Sequence, residues 1–128
     1  MNPVVHFEMP AEDMKRMMKF YKDVFGWDVQ DIGSADMGQY VLATTTPSTE
    51  KGPTKPGAIN GGFFPKSKDS AQHPSVVIQV DDIKKHMDMI KKAGGKVLGE
   101  PVEIPGMAWY VSFIDSEGNR TSLWQTLH

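Results

Sequence analysis

Hydrophobic and polar residues alternate in the segment PVVHFEM, residues 3–9. Successive side chains of a β-strand point to opposite faces, so this alternation predicts a strand with one apolar face and one polar face. His6 and Glu8 both fall on the polar face. The segment therefore places a histidine and a glutamate side by side on the first predicted strand.

The period of the pattern changes after Pro10. Apolar residues then recur at i, i+3, i+4, i+7, i+10 and i+11 from Met14, which is typical of an amphipathic helix, and Gly26 ends the helix. Three short apolar segments bounded by turn-forming residues follow and are predicted to be strands: WDVQDI, GQYVLATT and AINGGFF. The first half of the chain thus has the predicted order βαβββ.

The second half repeats this order. SVVIQV is predicted to be a strand, Asp81 or Asp82 caps a helix, a Gly-Gly pair ends it, and KVLGEPVEI, AWYVSFI and RTSLWQT follow as strands. One constant shift superposes Asp13 on Asp82 and Gly26 on Gly95, so helix start and helix end coincide in the two halves. The chain is therefore predicted to be an α+β protein built from two tandem βαβββ modules.

We expect these modules to form a single domain spanning residues 1–128. The first module covers about residues 1–65 and the second about residues 75–128. The polar segment KSKDSAQHP, residues 66–74, is the predicted linker. Within the first module, residues 44–57 are rich in Pro, Gly and Ser and are predicted to be a surface loop, either a tolerated insertion or a flap over a ligand site.

Composition and charge limit the kinds of binding partner and the cellular compartment that we expect. The 14 basic and 16 acidic side chains give a net charge of −2, and no Lys/Arg block favours nucleic acid. The absence of Cys rules out disulfides and thiolate metal sites and fits a reducing compartment. No signal peptide is visible, and no apolar run approaches the ~20 residues that span a bilayer. We therefore expect a cytoplasmic protein that binds neither nucleic acid nor membrane.

Four segments together resemble a known family: HFEMPAEDMKRMMKFYKDVFGWDV, GGFF, VDDI followed by AGGKV, and IPGMAWYVSFIDSEGNRTSLWQ. They cover nearly the whole chain, which resembles the glyoxalase / bleomycin-resistance / extradiol-dioxygenase superfamily of vicinal oxygen chelate proteins. The patterns FYxxVFGW and DxEGNxxxLWQ are similar to its uncharacterised branch related to lactoylglutathione lyase. The resemblance implies sheets that curl into a β-cup with the helices outside, a small-molecule ligand and a homodimer.

The resemblance also implies positions for metal ligands. In the metal-dependent members, four His, Glu or Gln ligands come from the first and last strands of the two modules. The corresponding positions here are His6, Ser75, Ser122 and either Gly61 or Gly62. Ser and Gly are not strong donors for a divalent ion. We therefore expect no cofactor, and a divalent metal at His6, with Glu8 as a rearranged ligand, is the alternative.

His6 and Glu8 are also the candidate catalytic residues. Imidazole titrates near neutral pH, and a glutamate can serve as a general base when burial raises its pKa. The alternative for both is a cup-lining polar residue that is hydrogen-bonded to a neighbour.

The candidate ligand-binding residues lie mostly in the second module. Trp109 and Tyr110 are adjacent on one strand, so one faces the cup and the other faces the helices. Arg120 shares a strand face with Ser122 and is a candidate clamp for a carboxylate or phosphate group. Two successive glycines leave part of the cup without a side chain, either for a ligand or for a close backbone. The full set is Gly61, Gly62, Ser75, Trp109, Tyr110, Arg120, Ser122 and Trp124.

Two functions remain open. In the first, the chain is an enzyme that acts on a small oxygenated or aromatic molecule at a degraded metal site. Such an enzyme would be a glyoxalase-like lyase or isomerase, or a dioxygenase. Alternatively, it is a non-catalytic protein that sequesters a drug or metabolite, as bleomycin-resistance proteins do. The enzyme hypothesis rests on His6 at the family ligand position. The sequestering hypothesis rests on Ser75 and Ser122, which stand where the family has metal ligands.

Overall fold

The computed structural model describes residues 1–35 and 37–127. These residues form two compact units: His6–Pro74, called the N-terminal unit, and Met1–Val5 with Ser75–His128, called the C-terminal unit. The elements in chain order are β1 Val4–Ala11, α1 Met14–Phe25, β2 Asp28–Asp31, β3 Val41–Thr44, β4 Ser48–Thr49, β5 Gly52–Pro53, β6 Asn60–Pro65, β7 Ser75–Gln79, α2 Ile83–Lys92, β8 Lys96–Ile104, β9 Ala108–Ile114 and β10 Arg120–Thr126. The predicted α+β class is confirmed.

The N-terminal unit packs α1 on one face of a mixed four-stranded sheet. The strand order is β2-β3-β6-β1, with β1 parallel to β6 and β3 antiparallel to both of its neighbours. The Asp13 carboxylate accepts a hydrogen bond from the backbone N–H of Arg16 and begins α1. Gly26 ends the helix with φ 71°, a left-handed conformation that glycine adopts without strain. Both ends of the predicted helix are confirmed.

Burial divides this sheet into two faces. The α1 face carries the apolar core, which comprises Ala11, Met14, Val41, Ala43 and Phe63, with Phe7 and Met9 packed against it. Because strand side chains alternate, His6 and Glu8 lie on the opposite face, as the sequence predicts. We call this surface of the N-terminal unit the His6/Glu8 face.

The C-terminal unit has the same design. Its strand order is β7-β10-β9-β8, with β7 parallel to β10 and the other pairs antiparallel. Asp82, rather than Asp81, caps α2 by accepting a hydrogen bond from the backbone N–H of Lys85. The core between α2 and the sheet comprises Val80, Ile83, Met87, Val111, Phe113 and Leu123.

Residues 44–57 contain more structure than the sequence suggests. A two-residue ladder pairs β4 with β5, although three prolines in the segment favour a loop without strands. Pro53 is accommodated because it lies at the end of β5. The side chain of Asn60 holds the base of this hairpin: its Oδ1 accepts from the Thr45 N–H at 2.9 Å, and its Nδ2 donates to Ser48 Oγ at 2.8 Å.

The helices α1 and α2 are short, with 12 and 10 residues. About 20 apolar residues are needed for a helix to cross a bilayer. Within residues 1–35 and 37–127, no helix has the length and apolar character to do so.

The N-cap of α2 gives a first test of this fold. We expect Asp82→Ala to lower the free energy of unfolding by about 1 kcal/mol, because the Lys85 N–H loses its acceptor. Urea unfolding measures the change. Asp81→Ala is the matched control and should leave stability nearly unchanged. Equal losses in the two variants would contradict the assignment of the cap.

Candidate functional site

His6 is a buried imidazole with a phenol as its partner. Its side chain is 7% exposed, and its Nε2 lies 3.0 Å from the hydroxyl of Tyr40, which is also 7% exposed. Burial disfavours the charged form and lowers the pKa of His6 to about 4. The imidazole is therefore neutral at physiological pH.

Glu8 is a buried carboxylate two residues further along the same strand. It is 4% exposed and lies opposite Gly62 of β6, while His6 lies opposite Asn60. A buried carboxylate is costly unless it is hydrogen-bonded or paired. Among the described residues, no buried side-chain nitrogen or oxygen lacks a hydrogen-bond partner. The buried carboxyl group of Glu8 therefore has a hydrogen-bond partner in the folded protein.

The space beside both glycines of β6 is filled by aromatic rings. A methyl group at Gly61 would overlap the ring of Phe7 on the α1 face, and one at Gly62 would overlap the phenol of Tyr40 on the His6/Glu8 face. Neither glycine leaves the open space for a ligand, or the close backbone approach, that the sequence suggests. Only Gly62 lies on the face with His6. Its missing side chain lets Tyr40 reach Nε2.

Three hydroxyl groups meet on the sheet face of the C-terminal unit that lies opposite α2. Tyr110 OH is 2.7 Å from Ser122 Oγ and 3.3 Å from Ser112 Oγ, and the two serine oxygens are 3.0 Å apart. Ser122 and Ser112 are buried, whereas Tyr110 is only partly buried. We call this group the hydroxyl triad. Each of its members can donate one hydrogen bond and accept others.

The strand register shows on which face of the C-terminal sheet each remaining candidate ligand-binding residue lies. Trp124 pairs with Tyr110 and Ser122 pairs with Ser112, so these side chains share one face, and Arg120 at the start of β10 lies on it too. Ser75, half-buried at the start of β7, is also on that face, because Val77 pairs with Ser122.

Trp109 lies on the other face of the same sheet. It pairs with Gln125 and is 39% exposed. It borders a cleft of about 600 Å³ at the start of α2, lined by Asp81, Asp82, Ile83, Lys84, Glu100, Pro101, Trp109 and Gln125. Of the two adjacent aromatic candidates, Tyr110 therefore belongs with Ser122, and Trp109 lies beside the helix.

The side chains present do not fit a catalytic metal ion. Such a site takes about three His, carboxylate or thiolate ligands. No group of three or more His, Cys, Asp or Glu residues suited to a metal exists within residues 1–35 and 37–127. In addition, Nε2 of His6 already bonds to Tyr40.

Sequence reasoning missed two of these hydrogen-bonded residues, Ser112 and Tyr40. Ser112 lies two residues from Tyr110 in AWYVSFI, so strand alternation could have placed it on the same face. Tyr40 precedes β3, and only the pairing of β3 with β6 brings its ring over Gly62. A contact set by pairing between distant segments is not visible in local sequence.

Comparison with known families and proteins gives a consistent result. The model of the Glyoxalase/Bleomycin resistance protein/Dioxygenase superfamily matches residues 4–123. A glyoxylase-like domain-containing protein of Didymella fabae is 31% identical over 113 residues, which cover 88% of this chain and 84% of that protein. A probable lactoylglutathione lyase of Vibrio cholerae is 28% identical, with coverage of 95% and 89%. A chloroplastic probable lactoylglutathione lyase of Arabidopsis thaliana is 27% identical, and the match spans 33% of its length.

Solved structures share the fold. A methylmalonyl-CoA epimerase in complex with methylmalonyl-CoA and NH4+ superposes with a TM-score of 0.73 at 17% identity, covering 98% of this chain and 95% of that chain. The methylmalonyl-CoA epimerase of Mycobacterium tuberculosis gives 0.67 at 15% identity, with coverage of 98% and 88%. At these identities the likeness concerns the fold alone.

The lowered pKa of His6 predicts a pH dependence of stability. In the unfolded chain, His6 takes up a proton below its ordinary pKa of 6.5, whereas in the folded chain it takes up this proton only near pH 4. The free energy of unfolding therefore has its full value above pH 6.5 and falls by about 3 kcal/mol between pH 6.5 and pH 4. The pKa values of Asp31 and Asp115 are lowered from 3.8 by hydrogen bonds to backbone and side-chain N–H groups, so their effects lie below this window.

Urea unfolding between pH 7.5 and pH 4 measures this loss. The slope should disappear in His6→Gln and persist in His73→Gln, in which an exposed histidine is replaced. A slope that persists in His6→Gln would rule out His6 as its source.

The contact between Gly62 and Tyr40 predicts a coupled pair. We expect Gly62→Ala to cost about 1–3 kcal/mol of stability, because the added methyl group displaces the buried phenol. In the background Tyr40→Ala the same change should cost much less, since the ring is gone. A double-mutant cycle measured by urea unfolding gives the interaction energy. Additive losses would show that the two residues do not compete for space.

Proposed function

We propose, since the chain belongs to the Glyoxalase/Bleomycin resistance protein/Dioxygenase superfamily, that it binds a small oxygenated organic molecule at the His6/Glu8 face and catalyses a metal-independent proton transfer. One observation carries this proposal. A carboxylate and a neutral imidazole are buried together on one strand face without a third metal-binding side chain among the described residues. Such a pair suits acid–base chemistry rather than Lewis-acid chemistry.

The proposed step takes place next to a carbonyl group of the ligand. The Glu8 carboxylate removes a proton from the carbon beside the carbonyl, and the electron pair of the broken C–H bond moves onto the carbonyl oxygen to give an enolate. Return of the proton to carbon, with collapse of the enolate, completes an isomerisation in which atoms and electrons balance. No oxidant or reductant is needed.

His6 contributes as a neutral group. Because its pKa lies near 4, it carries no charge at neutral pH and does not compete with the ligand for the Glu8 carboxylate as a cation would. The neutral imidazole ring instead keeps the face on which Glu8 acts polar without adding a charge to it.

Relatives and structural neighbours supply two probes for this proposal. Probable lactoylglutathione lyases occur among the relatives, so one probe is lactoylglutathione. Methylmalonyl-CoA, bound in one structural neighbour, is the other. Each has a hydrogen on a carbon beside a carbonyl group, and its exchange with D2O is observable by proton NMR.

We expect the protein to catalyse exchange of this hydrogen in at least one probe in the presence of excess EDTA. Glu8→Gln should slow the exchange by about 100-fold or more, because the base is lost. Glu103→Gln is the matched control, since Glu103 is an exposed glutamate on β8. Exchange that requires an added divalent metal, or that survives Glu8→Gln unchanged, would refute the proposal.

A second function is favoured by the aromatic and hydroxyl groups of the C-terminal unit. Trp124 and Tyr110 share a face with Ser122, which suits binding of a flat oxygenated molecule without chemistry. A compound that raises the melting temperature while no probe exchanges would support such a sequestering role.

Assembly and location also belong to this proposal. We propose a cytoplasmic homodimer with no bound cofactor. Three large apolar side chains of α1 support a dimer, because Phe20, Val24 and Phe25 are 54–60% exposed.

A further inference from the structure

Asn60 is the only asparagine of the chain that is followed by a glycine, since the other two precede Pro3 and Arg120. In an Asn-Gly pair the backbone nitrogen of the glycine can reach the side-chain carbonyl carbon of the asparagine, because the glycine has no side chain to stand in the way. Asparagine loses ammonia more readily in this pair than before any larger residue. Asn60 is therefore the most reactive amide side chain that the sequence contains.

The fold requires both members of this pair. A methyl group at Gly61 would overlap the ring of Phe7, so the packing of β6 on β1 accepts only glycine there. Asn60 uses its amide in two directions: Oδ1 accepts from the Thr45 N–H at 2.9 Å, and Nδ2 donates to Ser48 Oγ at 2.8 Å. A carboxylate could replace the acceptor but not the donor. The reactive pair is thus imposed by the core on one side and by the hairpin on the other.

The same contacts protect the pair in the folded chain. Gly61 is paired with Phe7 of β1 and with Ala43 of β3, so its backbone is held from both sides. Ring closure between Gly61 and Asn60 turns the backbone of Asn60 out of the extended conformation and draws its amide away from Ser48. Both movements break contacts, and the reaction therefore requires a local opening at the base of the hairpin.

We propose that Asn60 is a modification site: when the base of the β4–β5 hairpin opens, Asn60 loses its side-chain amide and becomes aspartate or isoaspartate. The backbone nitrogen of Gly61 bonds to Cγ of Asn60, and its proton passes to the leaving nitrogen. The Cγ–Nδ2 bond breaks, ammonia leaves, and a cyclic imide remains. Water then opens the imide at one of its two carbonyl groups. No oxidant or reductant takes part.

The product cannot hold the hairpin as the amide does. A carboxylate has no proton to donate to Ser48 Oγ and places a negative charge beside that oxygen. Isoaspartate also adds one carbon to the main chain of β6, which displaces Gly62 from its place opposite Glu8. Deamidation is therefore a one-way release of the hairpin that reaches the His6/Glu8 face. It does not depend on the proton transfer proposed for that face.

Timed incubation of the full chain at mildly alkaline pH, followed by trypsin digestion and mass spectrometry, tests the proposal. Trypsin releases residues 52–66 as one peptide, because Pro56 prevents cleavage after Lys55, and Asn60 is its only amide side chain. A synthetic peptide of residues 52–66 gives the unprotected rate. We expect Asn60 of the folded chain to react, but at least about tenfold more slowly than Asn60 of the peptide.

Ser48→Ala separates the hairpin contact from the protection that the sheet alone gives. It removes the acceptor of Asn60 Nδ2 and should speed the reaction in the folded chain by about 2- to 10-fold, the factor that corresponds to one hydrogen bond. Ser70→Ala is the matched control and should leave the rate unchanged. The hydroxyl of Ser70 bonds to the backbone of Ser67 and Ala71, outside the hairpin.

Three results would overturn the proposal. Reaction of Asn60 in the folded chain as fast as in the peptide would show that the hairpin base gives no protection. Equal rates in the wild type and in Ser48→Ala would show that the bond to Ser48 is not the protecting contact. An Asn60 that stays intact in both proteins while the peptide is fully converted would show that it is not a modification site.

Discussion

The parallel pairing of β1 with β6 is the constraint on which the N-terminal unit depends. It sets Gly62 opposite Glu8 and Phe63 opposite Met9, so the apolar residues of both strands turn towards α1 together. A slip of one residue would exchange the faces of β1, because side chains alternate along a strand. An imidazole and a carboxylate would then lie among apolar side chains, at a cost of several kcal/mol. Burial of the α1 core thus holds His6 and Glu8 on the opposite face of the sheet.

The features that the sequence predicts well are local. Asp13 and Gly26 mark the ends of α1 because a cap and a left-handed glycine need only their own neighbours along the chain. The shared face of His6 and Glu8 follows from strand alternation alone. The repeat in the second half supports the helix ends, since one shift superposes the start and the end of α1 on those of α2.

The features that the sequence leaves open depend on pairing between distant strands. Tyr40 meets His6 only because β3 and β6 pair in one register, and no spacing rule along the chain connects residues 6 and 40. Trp109 and Tyr110 are equivalent candidates until the partners of β9 are known, when the core residues Val111 and Phe113 assign the α2 side to Trp109. The short hairpin in residues 44–57 escaped prediction because ladders of two residues have almost no sequence signal.

The side chain of Asn60 ties that hairpin to the pair of strands β1 and β6. Asn60 faces His6 across β1 and β6 through its backbone, while its amide side chain holds Thr45 and Ser48 at the hairpin base. The base and the tip of the hairpin therefore differ in their tolerance to change. Insertions at the tip, near residues 50–51, extend an exposed turn, so loop variants or grafted peptides can be accommodated there. A change at Thr45 or Asn60 alters the strand that positions the imidazole, and this confines safe loop engineering to the outer half of the segment.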